Sequence, residues 1–256
     1  MKPDAAEQRR VLVTGGGSGL GAAIVRALAQ AGHSVTFTYR SAATEAKALV
    51  DELSRGRPQQ AFAAHSLDLA DKSAVDAFCA TLEAATPYFG LVHNAGHSYD
   101  SLAMMMDQSK AEAAMQVNFW SFTRLVSKIV RTMMRARDGR VAVIGSVTAL
   151  QANQGNAAYA ASKAALLGYV RTLAIETART GVTVNYLAPG FIDTAMMAPY
   201  AKYREQMESQ IPARRFARPQ EIADAVAFLL SPQASYITGA VLPVDGGLSA
   251  AIGIHR

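Results

Sequence analysis

Apolar residues fall into short β-branched runs separated by longer stretches in which they recur every three or four positions, and the two kinds alternate along the chain. Runs at 11–14, 34–39, 60–66, 90–93, 140–145, 182–187 and 239–244 read as buried strands. The stretches 20–31, 44–55, 71–85, 109–136, 157–180 and 219–231 read as helices. The first has apolar residues at 20, 24, 25 and 28, and the one from 157 is rich in Ala and Leu and free of Pro. Strands alternating with helices of this length need crossovers, which are right-handed and lay the strands parallel with both faces covered. The predicted architecture is α/β, with one domain over 1–256 holding a single doubly wound, seven-stranded parallel sheet. The one long connection, 189–218, carries at most a short helix near 200–209. It follows a strand end, where ligands bind in such sheets, and 190–218 is expected to form a substrate lid.

Composition narrows the class. Half of the 256 residues are apolar and 18% are charged, which excludes a disordered chain and allows roughly three quarters of the unfolded surface to be buried. The single cysteine, Cys79, excludes a disulfide or thiolate metal site within one chain and points to a reducing cytoplasm. His33, His65, His93, His97 and His255 show no ligand spacing, so no metal is expected. The first ten residues are polar and do not read as a signal peptide. The longest purely apolar run, 225–230, is too short to cross a bilayer, and no membrane partner is expected. The net charge of +5 suits anionic partners, but the bases are scattered. A phosphorylated cofactor accounts for them without nucleic acid.

The chemistry begins where the strand 11–14 runs into Gly15-Gly16-Gly17-Ser18-Gly19-Leu20-Gly21 and a helix. Glycines at 15, 19 and 21 allow a tight turn and close approach to a pyrophosphate, while the helix N-terminus offers unpaired N–H groups. In this strand–turn–helix context the segment predicts a dinucleotide-binding Rossmann fold. An acid at the end of the second strand usually meets a free ribose 2′-hydroxyl, but Arg40 and Ser41 stand there. That favours a 2′-phosphate, hence NADP(H) over NAD(H).

Further along, Ser146 ends a strand, and Tyr159 and Lys163 lie four apart on a helix, so they share one face. A cation one turn away favours the phenolate and brings Tyr159 towards the range of a general acid. Alone, such a pair would be an ordinary surface contact. Asn94-Ala95-Gly96 follows a strand, and Asn118 sits inside the apolar helix 109–136, where an Asn needs a partner or a purpose.

Taken together, the chain resembles the short-chain dehydrogenase/reductase family along essentially its whole length. The matching marks are Thr14-Gly15 with Gly19 and Gly21, Asp68, Asn94-Ala95-Gly96, Asn118, Ser146, Tyr159 with Lys163, and Pro189-Gly190 with Thr194. Within the family the likeness is to β-ketoacyl-acyl-carrier-protein reductases, through 139–146, 184–194 and 236–247. The resemblance implies reduction of a β-ketoacyl thioester with NADPH, with Asn118, Ser146, Tyr159 and Lys163 as the catalytic set. Ser146 would donate to the substrate carbonyl and Tyr159 would protonate it. Lys163 would depress the tyrosine pKa and hold the nicotinamide ribose, and Asn118 would anchor a water that reloads the proton. Asp68 and Leu69 would flank the adenine, Asn94, Ala95 and Gly96 the ribose side, and Ile192 and Thr194 the nicotinamide end.

There are departures. Many of these reductases have Arg where this chain has Ser18, so Arg40 would have to hold the phosphate; His93 stands where the family commonly has Asn. Tyr39-Arg40-Ser41 is also reminiscent of pteridine reductases, which keeps open a reductase of a free small-molecule carbonyl. A non-catalytic subunit of a hetero-oligomer is a further alternative. Tyr99 and Met104-Met105-Met106 would border the substrate. An acyl carrier protein is the expected partner, met near the active-site mouth by Arg137, with Arg135 and Arg179 as further candidates. Small residues on 157–180 and the apolar excess of 109–136 suit a subunit interface, and the family is usually tetrameric through such helices.

Overall fold

The computed structural model describes residues 9–84 and 86–251. Residues 1–8, position 85 at the predicted helix end, and His255 lie outside the described residues. All seven predicted strands form: β1 (Arg10–Thr14), β2 (Ser34–Tyr39), β3 (Phe62–Ser66), β4 (Gly90–His93), β5 (Gly139–Ile144), β6 (Val182–Pro189) and β7 (Val241–Val244). They make one parallel sheet in the order β3-β2-β1-β4-β5-β6-β7, so the winding reverses between β1 and β4. Thr14, the last residue of β1, lies opposite His93, the last of β4. Open parallel sheets bind ligands at the strand C-termini beside such a reversal.

The two faces of the sheet bury separate clusters because alternate residues of each strand point opposite ways. Val11, Val13, Phe37 and Leu187 pack with Ile24 and Leu28 of α1 (Gly19–Gln30), Leu49 of α2 (Ala43–Gly56), and further helical residues Ile222 and Val226. Leu12, Val141, Val184 and Tyr186 face the other way, onto Val75 of α3 (Lys72–Ala84) and the helices that follow β4 and β5.

Those later helices differ from expectation in one respect. The predicted helix 109–136 is α4 (Gln108–Met115) and α5 (Ser121–Ala136) joined by a π-helical turn at Gln116–Trp120. Such a turn inserts one residue into the α-helical register and is common at functional sites. Asn118 is at its middle. The helix 157–180 is α6 (Ala157–Thr177) with a closing 3₁₀ turn over Ala178–Thr180. Between β6 and the last long helix, the chain forms a 3₁₀ stretch over Ala195–Tyr203, then α7 (Arg204–Gln210), then α8 (Pro219–Leu230). Among the described residues no helix is long and apolar enough to cross a membrane.

Candidate active site

The predicted site residues lie along the C-terminal edge of the sheet. At the end of β1, Gly15 and Gly19 take positive φ, of 68° and 50°. A Cβ on Gly21 would lie 1.9 Å from the Gly15 carbonyl oxygen, so α1 packs against the turn at a distance only glycine permits. Ser18, at the N-cap of α1, makes no side-chain hydrogen bond back to the helix. The first N–H groups of α1 therefore remain without a side-chain cap, as a pyrophosphate site requires. Arg40 and Ser41 are exposed after β2, and Arg40 makes no hydrogen bond or ion pair with the described residues. Asp68 is exposed, with Oδ1 accepting from the Ala70 N–H at 2.9 Å, while buried Leu69 has its carbonyl held by Gln116 Nε2 at 3.2 Å. Across the edge, a Cβ on Gly19 would meet the Thr194 side chain at 3.7 Å, and Ile192 bridges to Ala217 beyond Pro189-Gly190. These residues fit a bound dinucleotide. Among the described residues no group of acids, His and Cys could hold a metal.

Thr14 ties the two halves of this edge together. Its hydroxyl accepts from the Asn94 and Ala95 N–H groups, each at 3.1 Å, and Asn94 Nδ2 donates to the Thr14 and Gly15 carbonyls at 3.2 and 3.0 Å. The same hydroxyl lies 3.1 Å from His93 Nδ1, and His93 Nε2 lies 2.9 Å from the Asn118 carbonyl. A carbonyl only accepts, so Nε2 carries the proton and Nδ1 accepts from Thr14. Burial, reinforced by the nearby Lys163 charge, pushes the imidazole down to about 3 and keeps it neutral.

Asn118 is fully buried. Its Nδ2 donates to the His97 carbonyl at 3.0 Å and to Ser162 Oγ at 2.7 Å, and its Oδ1 accepts from the His97 N–H at 2.7 Å. Both amide hydrogens are thus committed to protein partners. Water of the expected kind has only acceptor lone pairs left to it here. The π turn turns this side chain towards α6 and the loop after β4 together. A Cβ on Gly96 would come within 3.4 Å of Lys163 Nζ and 3.6 Å of Asn118 Oδ1, which places these two groups on one side of that glycine.

Ser146 follows β5. Its N–H donates to the Tyr186 hydroxyl at 3.0 Å, and its own hydroxyl is bonded to Thr148 and faces the Tyr159 phenol. Tyr159 and Lys163 share a face of α6, as their spacing predicts. The ammonium donates to the Ile144 carbonyl at 2.8 Å and lies 5.6 Å from the centre of the Tyr159 ring. Here the expectation that Lys163 depresses the tyrosine pKa is corrected. Burial pushes Tyr159 up to about 12; the Ser146 hydrogen bond pulls it down, and the Asp100 carboxylate adds to the rise. The cation is aimed at a carbonyl rather than at the phenol oxygen. Burial also brings Lys163 itself down to about 8.

Several residues were not visible to sequence reasoning. Tyr186 is fully buried on β6, and its hydroxyl bonds to the Ser146 N–H and the Lys163 carbonyl. A Cβ at Gly145 would lie 1.7 Å from that ring, so the residue before Ser146 has to be glycine. In a β-branched run an aromatic is unremarkable, and no pattern marks it. Asp100 is the second. It accepts from Ser98 Oγ at 2.9 Å and Asn156 Nδ2 at 2.7 Å, and contacts the Tyr200 hydroxyl, joining the loop after β4 to the foot of α6 and the 195–203 segment. Tyr99, on the loop expected to border the substrate, accepts from the Asp107 N–H at 2.9 Å and braces that loop. Met104, Met105 and Met196 are exposed.

The candidate carrier-facing arginines stand apart from this site within one protomer. Arg135 and Arg137 precede β5, and Arg179 precedes β6, so all three lie beyond the N-terminal edge of the sheet, away from Ser146. Arg137 takes a left-handed backbone as the cap of α5 and donates to the Arg179 carbonyl at 3.0 Å. Within one protomer they are helix-end residues.

Comparison with known proteins agrees with this geometry. A family model described as Enoyl-(Acyl carrier protein) reductase matches residues 15–249. The 3-oxoacyl-[acyl-carrier-protein] reductase MabA of Mycobacterium tuberculosis (strain ATCC 25618 / H37Rv) is 41% identical over 242 residues, 94% of this chain and 92% of that protein. The 3-oxoacyl-[acyl-carrier-protein] reductase FabG of Escherichia coli (strain K12) is 40% identical over 248 residues, 94% of this chain and 98% of that one. The solved structure of a candidate NAD(P) dependent gluconate 5-dehydrogenase from Beutenbergia cavernae, with NADP bound, superimposes with a TM-score of 0.90 at 35% identity, covering 95% of this chain and 97% of that one. Matched by the family model over residues 15–249 and by relatives at 40% identity or more over 94% of its length, the protein belongs to the short-chain dehydrogenase/reductase family of oxidoreductases.

Proposed function

We propose that the protein reduces a β-ketoacyl thioester, carried on an acyl carrier protein, to the β-hydroxyacyl product with NADPH. The observation that carries this reading is the convergence of the Ser146 hydroxyl and the Tyr159 phenol beside buried Lys163, in a chain whose curated relatives are 3-oxoacyl-acyl-carrier-protein reductases. The 2′-phosphate is read by Arg40 with Ser41, and the pyrophosphate by the turn Gly15–Gly21 at the uncapped start of α1. The nicotinamide, when bound, supplies the hydride. Ser146 donates a hydrogen bond to the ketone oxygen, and Tyr159 passes its proton to that oxygen as negative charge develops there. A phenol kept protonated by burial is suited to giving that proton. Asn118 keeps the loop after β4 and α6 in register, so that Tyr159 and Lys163 meet the cofactor side of the site. The segment 190–218 closes the outer wall as a lid.

A second reading, reduction of a free small-molecule carbonyl, is favoured by the similarity to a gluconate 5-dehydrogenase. A binding-only subunit needs no proton donor, and the intact Ser146, Tyr159 and Lys163 argue against it. Oxidation of NADPH is to be followed with four substrates: a β-ketoacyl thioester on carrier protein, its short thioester mimic, an enoyl thioester and free ketones. Preference for the carrier-bound ketone is expected, with Tyr159→Phe about 10²-fold slower or worse at unchanged NADPH affinity. Turnover of free ketones alone would favour the second reading, and turnover of the enoyl substrate alone would remove the carbonyl chemistry.

A further inference from the structure

A serine hydroxyl has one proton to give and two lone pairs to receive with. At Ser146 both lone pairs face Thr148. The Thr148 N–H lies 3.1 Å from Ser146 Oγ, and the Thr148 hydroxyl lies 2.9 Å from the same atom. The geometry is fixed by the short 3₁₀ turn over Val147–Ala149, for which Ser146 is the cap. Among the described residues Thr148 Oγ1 has no other hydrogen-bond partner, and Ser146 is 8% exposed, so little water competes for it. The other group facing the serine hydroxyl is the Tyr159 phenol, whose pKa the serine lowers.

The direction of a bond between these two hydroxyls matters. If Ser146 accepted from the phenol, the Tyr159 proton would be spent on the serine and not on the substrate. We propose that Thr148 is a positioning residue for the reduction, holding both acceptor sites of Ser146 so that the serine can only donate and the Tyr159 proton is left for the ketone oxygen. This rests on the reading of Ser146 as the donor to that oxygen. Donation by Thr148 also polarises the serine O–H, since hydrogen bonds in a chain reinforce one another.

The decisive variant is Thr148→Val, which keeps the shape and the backbone N–H but removes the hydroxyl. Losing one neutral hydrogen bond is expected to lower kcat roughly threefold to tenfold, with NADPH affinity and melting temperature unchanged. Thr148→Ser should restore kcat to within about twofold. In the direction of alcohol oxidation, where the phenolate is required, the rising limb of the pH profile should move to higher pH in Thr148→Val. The other titratable groups facing Tyr159 are Lys163 on its own helix, Asp100 from the loop after β4 and Tyr186 from β6, and all are unaltered by the change. The idea fails if Thr148→Val keeps kcat and an unmoved limb. It fails equally if Thr148→Ser is as poor as valine, or if NADPH binding or melting drops along with turnover. Ser146→Ala separates the two layers: full activity there removes the role of Ser146 itself, whereas an inactive Ser146→Ala beside a normal Thr148→Val removes only that of Thr148.

Discussion

Tyr159 and Lys163 lie one helical turn apart, and burial drives both towards their neutral forms, the phenol up to about 12 and the ammonium down to about 8. For Lys163 the folded value lies below the unfolded value of 10.5. Between about pH 8 and 10 the unfolded chain holds a proton that the folded chain has released, so this residue makes stability rise with pH in that window. Above about 10 the raised tyrosines act in the opposite sense and reverse the trend. Lys163→Met should flatten the rise in melting temperature between pH 7.5 and 10; an unchanged slope would mean the ammonium is not held in a desolvated site. Arg40 offers a contrast, since it is exposed and makes no hydrogen bond or ion pair among the described residues. A charge-assisted contact to a 2′-phosphate contributes about 1.5–3 kcal/mol. Arg40→Asp should therefore weaken NADPH binding by roughly ten- to a hundredfold and leave NADH little affected, as titration of both cofactors would reveal. Ser146, Tyr159 and Lys163 were legible because their spacing has geometric meaning on a strand end and a helix. Thr148 and Tyr186 were not, because a hydroxyl beside a serine and an aromatic in a strand carry no periodic signal.

The alternation of strands and helices was readable in the same way, and all seven strands form within a residue or two of their predicted bounds. The π turn was hidden, because Met115, Phe119 and Phe122 present an apolar pattern that a continuous helix would also produce. What revealed its neighbourhood was the misfit of Asn118 in that pattern. The outer faces of α5 and α6 raise a separate issue. Ile175 is 80% exposed and Trp120 at the head of α5 is 50% exposed, beside Phe119 and Tyr169 in edge-to-face contact. Large apolar groups left open on paired helices are characteristic of a covered surface. Assembly through these helices into an oligomer predicts a tetramer by light scattering at micromolar concentration, and Ile175→Glu should shift it to smaller species. A wild-type monomer under the same conditions would exclude this interface.

Across the whole molecule the sheet separates two chemistries. The glycine turn and Ser146 lie at one edge and Arg137 and Arg179 at the other, about 20 Å away along the six residues of β5. Arginines so placed reach a carrier protein at an active site only if that site belongs to a neighbouring copy, with its helices running antiparallel to these. Arg137→Glu should then raise KM for a carrier-bound substrate in a salt-dependent way and spare a short thioester mimic, provided the oligomer is intact. If both substrates suffer alike, Arg137 serves only as the cap of α5. At the opposite edge, Thr14 gathers the N–H groups of Asn94 and Ala95 onto one hydroxyl and gives its own proton to His93. Asn94 and Ala95 lie past the end of β4, where amide hydrogens ordinarily exchange with solvent deuterium through small local openings. Held by a side chain anchored at the centre of the sheet, they should exchange more slowly than their place in a loop predicts, which hydrogen–deuterium exchange would read. Two loop amides would then report openings of the sheet's centre rather than of their own loop.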